Sequence, residues 1–263
     1  MFGLNESYTI KRKELYNADK LEIPRTEDKI VLPQMILDTN NLCLDSKNNV
    51  TKVSASEDDL YEVNGGTTLS LIVNNKIIIA GDTRHSSEYG INSRKMTKIY
   101  KLGNFYLTTA GFFADGFEIY TKLHYQIKMY ESYNKMPLNA LAHLLHNILY
   151  SRRFFPLYSY TCLSGYEDGV ATIYSFDCVG NYQKTACRCD GSGSAMVQPL
   201  LDSWISGKNF ENYSEISFDD AVKLVKKAFD GISERDIKTK DNLEIYVLDG
   251  DKVDYQIIPL RRD

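Results

Sequence analysis

Three absences narrow what this chain can be before any motif is considered. No apolar run approaches the roughly 18 residues of a membrane-spanning helix. The opening Met1-Phe2-Gly3-Leu4-Asn5-Glu6 has neither the basic start nor the apolar core of a secretory signal, which predicts an intracellular protein with no membrane partner. CxxC pairs are missing too. Cys43, Cys162, Cys178, Cys187 and Cys189 are odd in number and irregularly spaced, unlike a disulfide framework. Cys187 and Cys189 share a face if they lie on a strand, but no third or fourth ligand sits nearby in sequence. They read as buried free thiols, and no metal is expected. The third absence is an excess of positive charge. Residues 1–65 hold 8 Lys/Arg against 12 Asp/Glu and residues 66–263 hold 23 of each, which argues against nucleic acid or an anionic membrane as principal partner.

What is present is ample core material, with 43% apolar and 12% aromatic residues. The composition changes near residue 64. Upstream, apolar clusters such as Ile30-Val31-Leu32 and Met35-Ile36-Leu37 are scattered among polar residues without a sustained period. Residues 1–65 therefore read as a largely irregular, propeptide-like extension, and residues 66–263 as one domain.

That domain opens with a hairpin, Leu69, Leu71 and Val73 alternating before Asn74-Asn75, with Lys76–Gly81 returning as a buried strand. Strands near Lys98–Tyr100 and Phe105–Ala110 precede two helices. Asp115 is placed to cap the first, which carries Phe117, Tyr120, Leu123, Ile127 and Tyr130; the second follows Pro137 with Leu141, Leu144, Leu145 and Ile148. Strands resume at 158–165, 171–176 and 182–189. One helix follows Gly191-Ser192-Gly193-Ser194 and another starts at the capping box Ser217–Asp220. A hairpin turning at Asp249-Gly250 closes the chain. Strands, two helices, strands, two helices, strands is an α+β order, and the arrangement that buries every apolar stripe is a four-layer αββα sandwich of two antiparallel sheets between helix layers.

Other motifs are weak. The Gly191–Ser194 run is neither a dinucleotide fingerprint nor a P-loop. His143 and His146 lack carboxylates in helical register and read as packing or surface residues. Arg152-Arg153 is too short for a nucleic-acid patch and reads as an interface anchor, while Trp204 and the 19 tyrosines suit extensive interfaces.

The stretch Asn64-Gly65-Gly66-Thr67-Thr68-Leu69-Ser70-Leu71, with Asp82-Thr83-Arg84 and Lys98, resembles a 20S proteasome β-type subunit. In catalytic members of that family, self-cleavage after a glycine exposes an N-terminal threonine. Its free α-amine can take the hydroxyl proton, a lysine lowers nearby pKa values, and an aspartate holds that lysine charged and aimed. Asp82 and Lys98 lie sixteen and thirty-two residues beyond position 66, the spacings the family keeps from its threonine. Position 66 is glycine and has no hydroxyl. The resemblance thus implies a non-catalytic subunit with no catalytic residue, cofactor or metal, in which Asp82 and Lys98 persist as a buried ion pair.

By the same resemblance, Ser192 matches the serine turn and Asp236 with Thr239 the Asp-x-x-Ser/Thr segment that supports the site in active relatives. Gly111 matches the glycine whose amide forms the oxyanion hole. Phe112 replaces a commonly small residue and would crowd a substrate groove. Tyr150–Pro156, Ser194–Asp202 and Leu260–Asp263 extend the likeness over roughly residues 61–263, toward the non-catalytic branch. It implies the N-terminal-nucleophile sandwich, and assembly with other β subunits and the α ring into a 28-subunit barrel. Unfolded, usually ubiquitin-tagged polypeptide would fill its chamber, in cytoplasm and nucleus.

Two rivals remain. Cleavage after Gly66 would make Thr67 the nucleophile, giving an active threonine endopeptidase. Strand parity opposes this: Thr67 goes with Leu69, Leu71 and Val73, whereas Gly66 goes with Thr68 and Ser70 on the more polar face, unless a bulge restores the direction. The other rival is a free-standing amidohydrolase of the same fold, which predicts a monomer or small oligomer.

Overall fold

The computed structural model describes residues 61–207 and 213–261. Of the extension expected over residues 1–65, residues 1–60 lie outside the described residues. Strand β1 (Thr67–Val73) returns as β2 (Lys76–Asp82) through Asn74 and Asn75, at φ 51° and 58°. Two consecutive left-handed residues give the turn whose twist matches its strands, and asparagine tolerates that conformation. A short pair, β3 (His85–Ser86) and β4 (Ile91–Ser93), leads to β5 (Ile99–Leu102) and β6 (Phe105–Gly111). Helices α1 (Phe113–Glu131) and α2 (Leu138–Ser151) follow.

Strands β7 (Ser159–Glu167), β8 (Val170–Phe176), β9 (Tyr182–Thr185) and β10 (Cys187–Gly191) come next. Then α3 (Ser194–Leu201) runs into one π-helical turn, and α4 (Phe218–Arg235) precedes the hairpin of β11 (Asn242–Asp249) and β12 (Lys252–Pro259). The hydroxyl of Ser217 accepts from the Asp220 amide at 3.2 Å, so the capping box starts α4 as its sequence indicates.

Two five-stranded antiparallel sheets carry the fold, in the orders β10-β1-β2-β11-β12 and β5-β6-β7-β8-β9. Leu69, Leu71, Ile78 and Ala80 on one face of the first sheet pack with Val197, Leu201, Val225 and Phe229 of α3 and α4. Its other face meets the second sheet through Ile77 and Ile79 against Ile99, Tyr106, Cys162 and Ile173. Helices α1 and α2 lie on the second sheet's far side, burying Ile119, Leu123, Leu141 and Leu145. The four-layer αββα sandwich is the observed architecture. Each fully buried Leu or Ile contributes about 1.5–3 kcal/mol relative to exposure.

The structure revises several details. Residues 182–189 are two strands, because the chain leaves the second sheet after Thr185 and joins the first at Cys187; between them the Ala186 carbonyl accepts from Ile72 N–H at 2.8 Å. Asp115 lies inside α1 and not at its cap, accepting instead from the Tyr158 amide at 2.7 Å. On α2, Leu138, Ala142 and Leu149 join Leu141 and Leu145 in the buried face, and Leu144 and Ile148 flank it. In the closing hairpin Leu243 and Ile245 face the core, but Val253, Tyr255 and Ile257 are exposed. His146 and His143 reach the Gly180 carbonyl and the Tyr182 hydroxyl, which accounts for both as packing residues. Cys162, Cys187 and Cys189 are buried free thiols; Cys43 lies outside the described residues.

Candidate functional site

The site lies where β1 begins, between the two sheets. Gly66 has φ +85°, and a Cβ built there would lie 2.6 Å from Lys98 Nζ and 2.7 Å from Asp82 Oδ1. Lys98 therefore occupies the space a side chain at position 66 would need, and the left-handed backbone disfavours any residue but glycine. The lysine is fully committed: Nζ donates to the carbonyls of Asp82 at 3.0 Å and Arg84 at 2.6 Å, and lies 3.2 Å from Asp82 Oδ1. Three ammonium protons meet three acceptors. Burial pushes the Asp82 carboxyl above the usual carboxylate range, against the pull of Lys98 and of the Thr67 and Arg84 amides.

The Gly66–Thr67 peptide is held at both ends. Its N–H donates to Asp82 Oδ1 at 2.7 Å, and its carbonyl accepts from the Ser192 amide at 2.9 Å, with the Ser192 hydroxyl oxygen 3.2 Å away. The Thr67 side chain points the other way. Its hydroxyl accepts from Gly193 N–H at 3.0 Å and lies 2.7 Å from the Thr239 hydroxyl. Thr239 and Ser192 both donate to Asp236 Oδ2, so the Thr67 proton is left for Thr239. Asp236, just past α4, also accepts from the Lys238 amide at 2.9 Å. Apart from Gly111, the sequence-predicted site residues thus gather here, but in two clusters on either side of one peptide bond.

The residues before Gly66 fill the cleft, which the sequence reading missed. Tyr61 packs on Phe112, Phe155 and Tyr158 with ring centroids 5.5–6.2 Å apart, and its hydroxyl donates to the Pro156 carbonyl at 2.8 Å. Lys238 Nζ holds the Val63 carbonyl at 3.0 Å. Asn64 is the main tie. Its amide donates to the Gly111 carbonyl at 3.2 Å, its Oδ1 accepts from Phe113 N–H at 2.8 Å, and its Nδ2 donates to the Ser86 carbonyl at 3.2 Å. The side chain thereby satisfies an orphan donor at the start of α1, in place of the missing cap. The only hint in sequence was its place before two consecutive glycines.

Gly111 has φ +124°, and a Cβ there would lie 2.7 Å from the Tyr158 carbonyl, so the close approach requires glycine. With His85, Lys98 and Thr109 it borders a void of about 20 Å³, room for about one water. The ring nitrogens of His85 are shielded and make no hydrogen bond, and the ring stands edge-on to Phe113 at 5.0 Å. Burial, and then the Lys98 charge, lower its pKa. Arg84 is clamped by Asp241 at 2.8 and 3.2 Å, with Arg94 on the same carboxylate. Burial works to raise the Asp241 carboxyl, but these bonds and charges outweigh it and hold it low. No group of three or more metal-ligating side chains occurs among the described residues. A cavity of about 760 Å³ lies among the hairpin turns near Asn75, Asp168 and Asp249 and includes none of the predicted site residues.

Two antiparallel sheets between helix layers, with a glycine-led strand aimed at a lysine–aspartate pair between them, define the sandwich class of N-terminal-nucleophile hydrolases. Within it this chain belongs to the proteasome-subunit family, whose model, described as Proteasome subunit, matches residues 62–248. It is 49% identical over 207 residues to the "Probable proteasome subunit beta type-6" of Encephalitozoon cuniculi, covering 78% of this chain and 71% of that protein. Identity is 41% over 209 residues to the beta type-1 subunit of Danio rerio, covering 77% and 88% of the two chains. The beta type-6 subunit of Saccharomyces cerevisiae is 34% identical over 221 residues, covering 77% and 90%. The chain is a β-type subunit and, among these relatives, most similar to a beta type-6 subunit.

Proposed function

We propose that this chain is a non-catalytic, structural β subunit of the 20S proteasome core particle. It completes the β ring and walls the chamber in which neighbouring subunits cut unfolded, ubiquitin-tagged polypeptide, in a 28-subunit particle of cytoplasm and nucleus. The observation that carries this reading is Gly66, set against Lys98 and Asp82. A threonine nucleophile needs a hydroxyl at that corner and a free amine beside it. Position 66 lacks the hydroxyl, and the Thr67 hydroxyl is turned the other way, to Gly193 N–H and the Thr239 hydroxyl. Trimming by an active neighbour would fall upstream of Gly66.

The test is the intact mass and N-terminal residue of this subunit isolated from its assembled particle, with and without a threonine-directed electrophile. A chain starting upstream of Gly66 and unlabelled is expected. A chain starting at Thr67 and carrying the label would replace this reading with that of an active endopeptidase. A chain found only as a monomer or small oligomer would point to a free-standing amidohydrolase.

A further inference from the structure

Strand β12 ends the first sheet, so one edge of its backbone has no partner strand within that sheet. Register places Val253, Tyr255 and Ile257 opposite Leu248, Tyr246 and Glu244 on one face. Under β11 that face is interior: Leu248 is in the core between the sheets, and Tyr246 stacks toward Tyr106 at 5.4 Å. The second sheet does not reach β12, and Val253, Tyr255 and Ile257 are 46–54% exposed. An apolar stripe beside an open strand edge is costly to leave uncovered.

At the foot of that stripe lies Glu244, 8% exposed. Its Oε1 accepts from the Tyr255 hydroxyl at 3.0 Å, but its Oε2 is shielded and has no partner. A buried carboxylate oxygen without a donor is expensive, and more so than a neutral one. Burial, and then the Glu244 charge, push the Tyr255 hydroxyl up to about 12.

Resting on the reading of this chain as a proteasome subunit, we infer that this face of β12 receives an extended segment of a neighbouring subunit carrying a lysine or arginine that pairs with Glu244. A strand added beside β12 would lie about 10 Å from β11, within the joint reach of a glutamate and a long basic side chain. Its backbone completes the ladder, its apolar residues cover the stripe, and its cation supplies the donor that Oε2 lacks.

A photo-crosslinking residue at the exposed Ile257 position of the full chain, in assembled particles, tests this. The expected result is a crosslink to another subunit at a peptide with a Lys or Arg within two or three residues. Glu244→Lys is expected to lower the particle-incorporated fraction about tenfold, and Glu244→Gln by less. A chain that enters the particle without crosslinking there, or crosslinks to a peptide lacking a basic residue, overturns this inference alone. A chain that never enters a particle overturns the proposed function as well.

Discussion

The two polar clusters flanking the Gly66–Thr67 peptide contain most parts of a threonine hydrolase, yet they are divided. One is ionic, Lys98 with Asp82, and has no hydroxyl. The other is a chain of hydroxyls, Thr67 to Thr239 to Asp236 with Ser192, and has no amine. The peptide's N–H goes to the first and its carbonyl to the second.

The largest effect should come from breaking the ionic cluster. Lys98→Met leaves the Asp82 carboxylate buried and uncompensated, and about 3–5 kcal/mol should be lost in thermal or denaturant unfolding. Pairing it with Asp82→Asn should recover much of that; a loss as large in the pair would mean the two act independently. Gly66→Thr tries to rejoin the clusters. The left-handed backbone alone should cost about 1–3 kcal/mol, and with Lys98 already in the space no cut between Gly65 and residue 66 is expected by intact mass. Self-cleavage in that variant would show the division to be one residue deep.

Thr67→Val probes the hydroxyl cluster. It strands the Gly193 N–H, and about 1–3 kcal/mol should be lost, while Thr67→Ser keeps the bonds and should lose less. The smallest effect concerns pH. The pKa of His85 in the fold lies below its usual 6.5, so the unfolded chain binds the proton more readily. Its neutral form supports the fold fully above pH 6.5, and that support is lost as pH falls below it. His85→Phe should therefore flatten the unfolding midpoint between about pH 7 and 5, and an unchanged slope would place the titrating group elsewhere.

Much of this was legible in the sequence, for local reasons. Asn74-Asn75 and Asp168-Gly169 announce their hairpins because few residues accept a positive φ, and the structure has all four there. The spacings from Asp82 and Lys98 to Gly66 survive because strand lengths fix where each side chain emerges. Parity held as well: Thr67 and Gly66 face opposite ways, although both faces of β1 are interior, since it lies in the middle of four layers. What pattern could not reveal depends on the other sheet. Residues 182–189 look continuous because both halves are strands, and only packing shows that they serve different sheets. Val253, Tyr255 and Ile257 alternate like a buried face, and nothing local says that the second sheet stops short of them. Apart from its place before two glycines, Asn64 gives no sign in sequence, because its partners, Gly111, Phe113 and Ser86, are between 22 and 49 residues away.

Those bonds from Asn64 make the segment before Gly66 a tethered occupant of its own cleft. A segment covalently joined to its binding groove competes at an effective concentration of about millimolar or more, because the linker is short and the fit is already made. Any other peptide would have to displace a segment that stays joined to the cleft it fills, so while residues 61–65 remain attached the cleft is occupied from within.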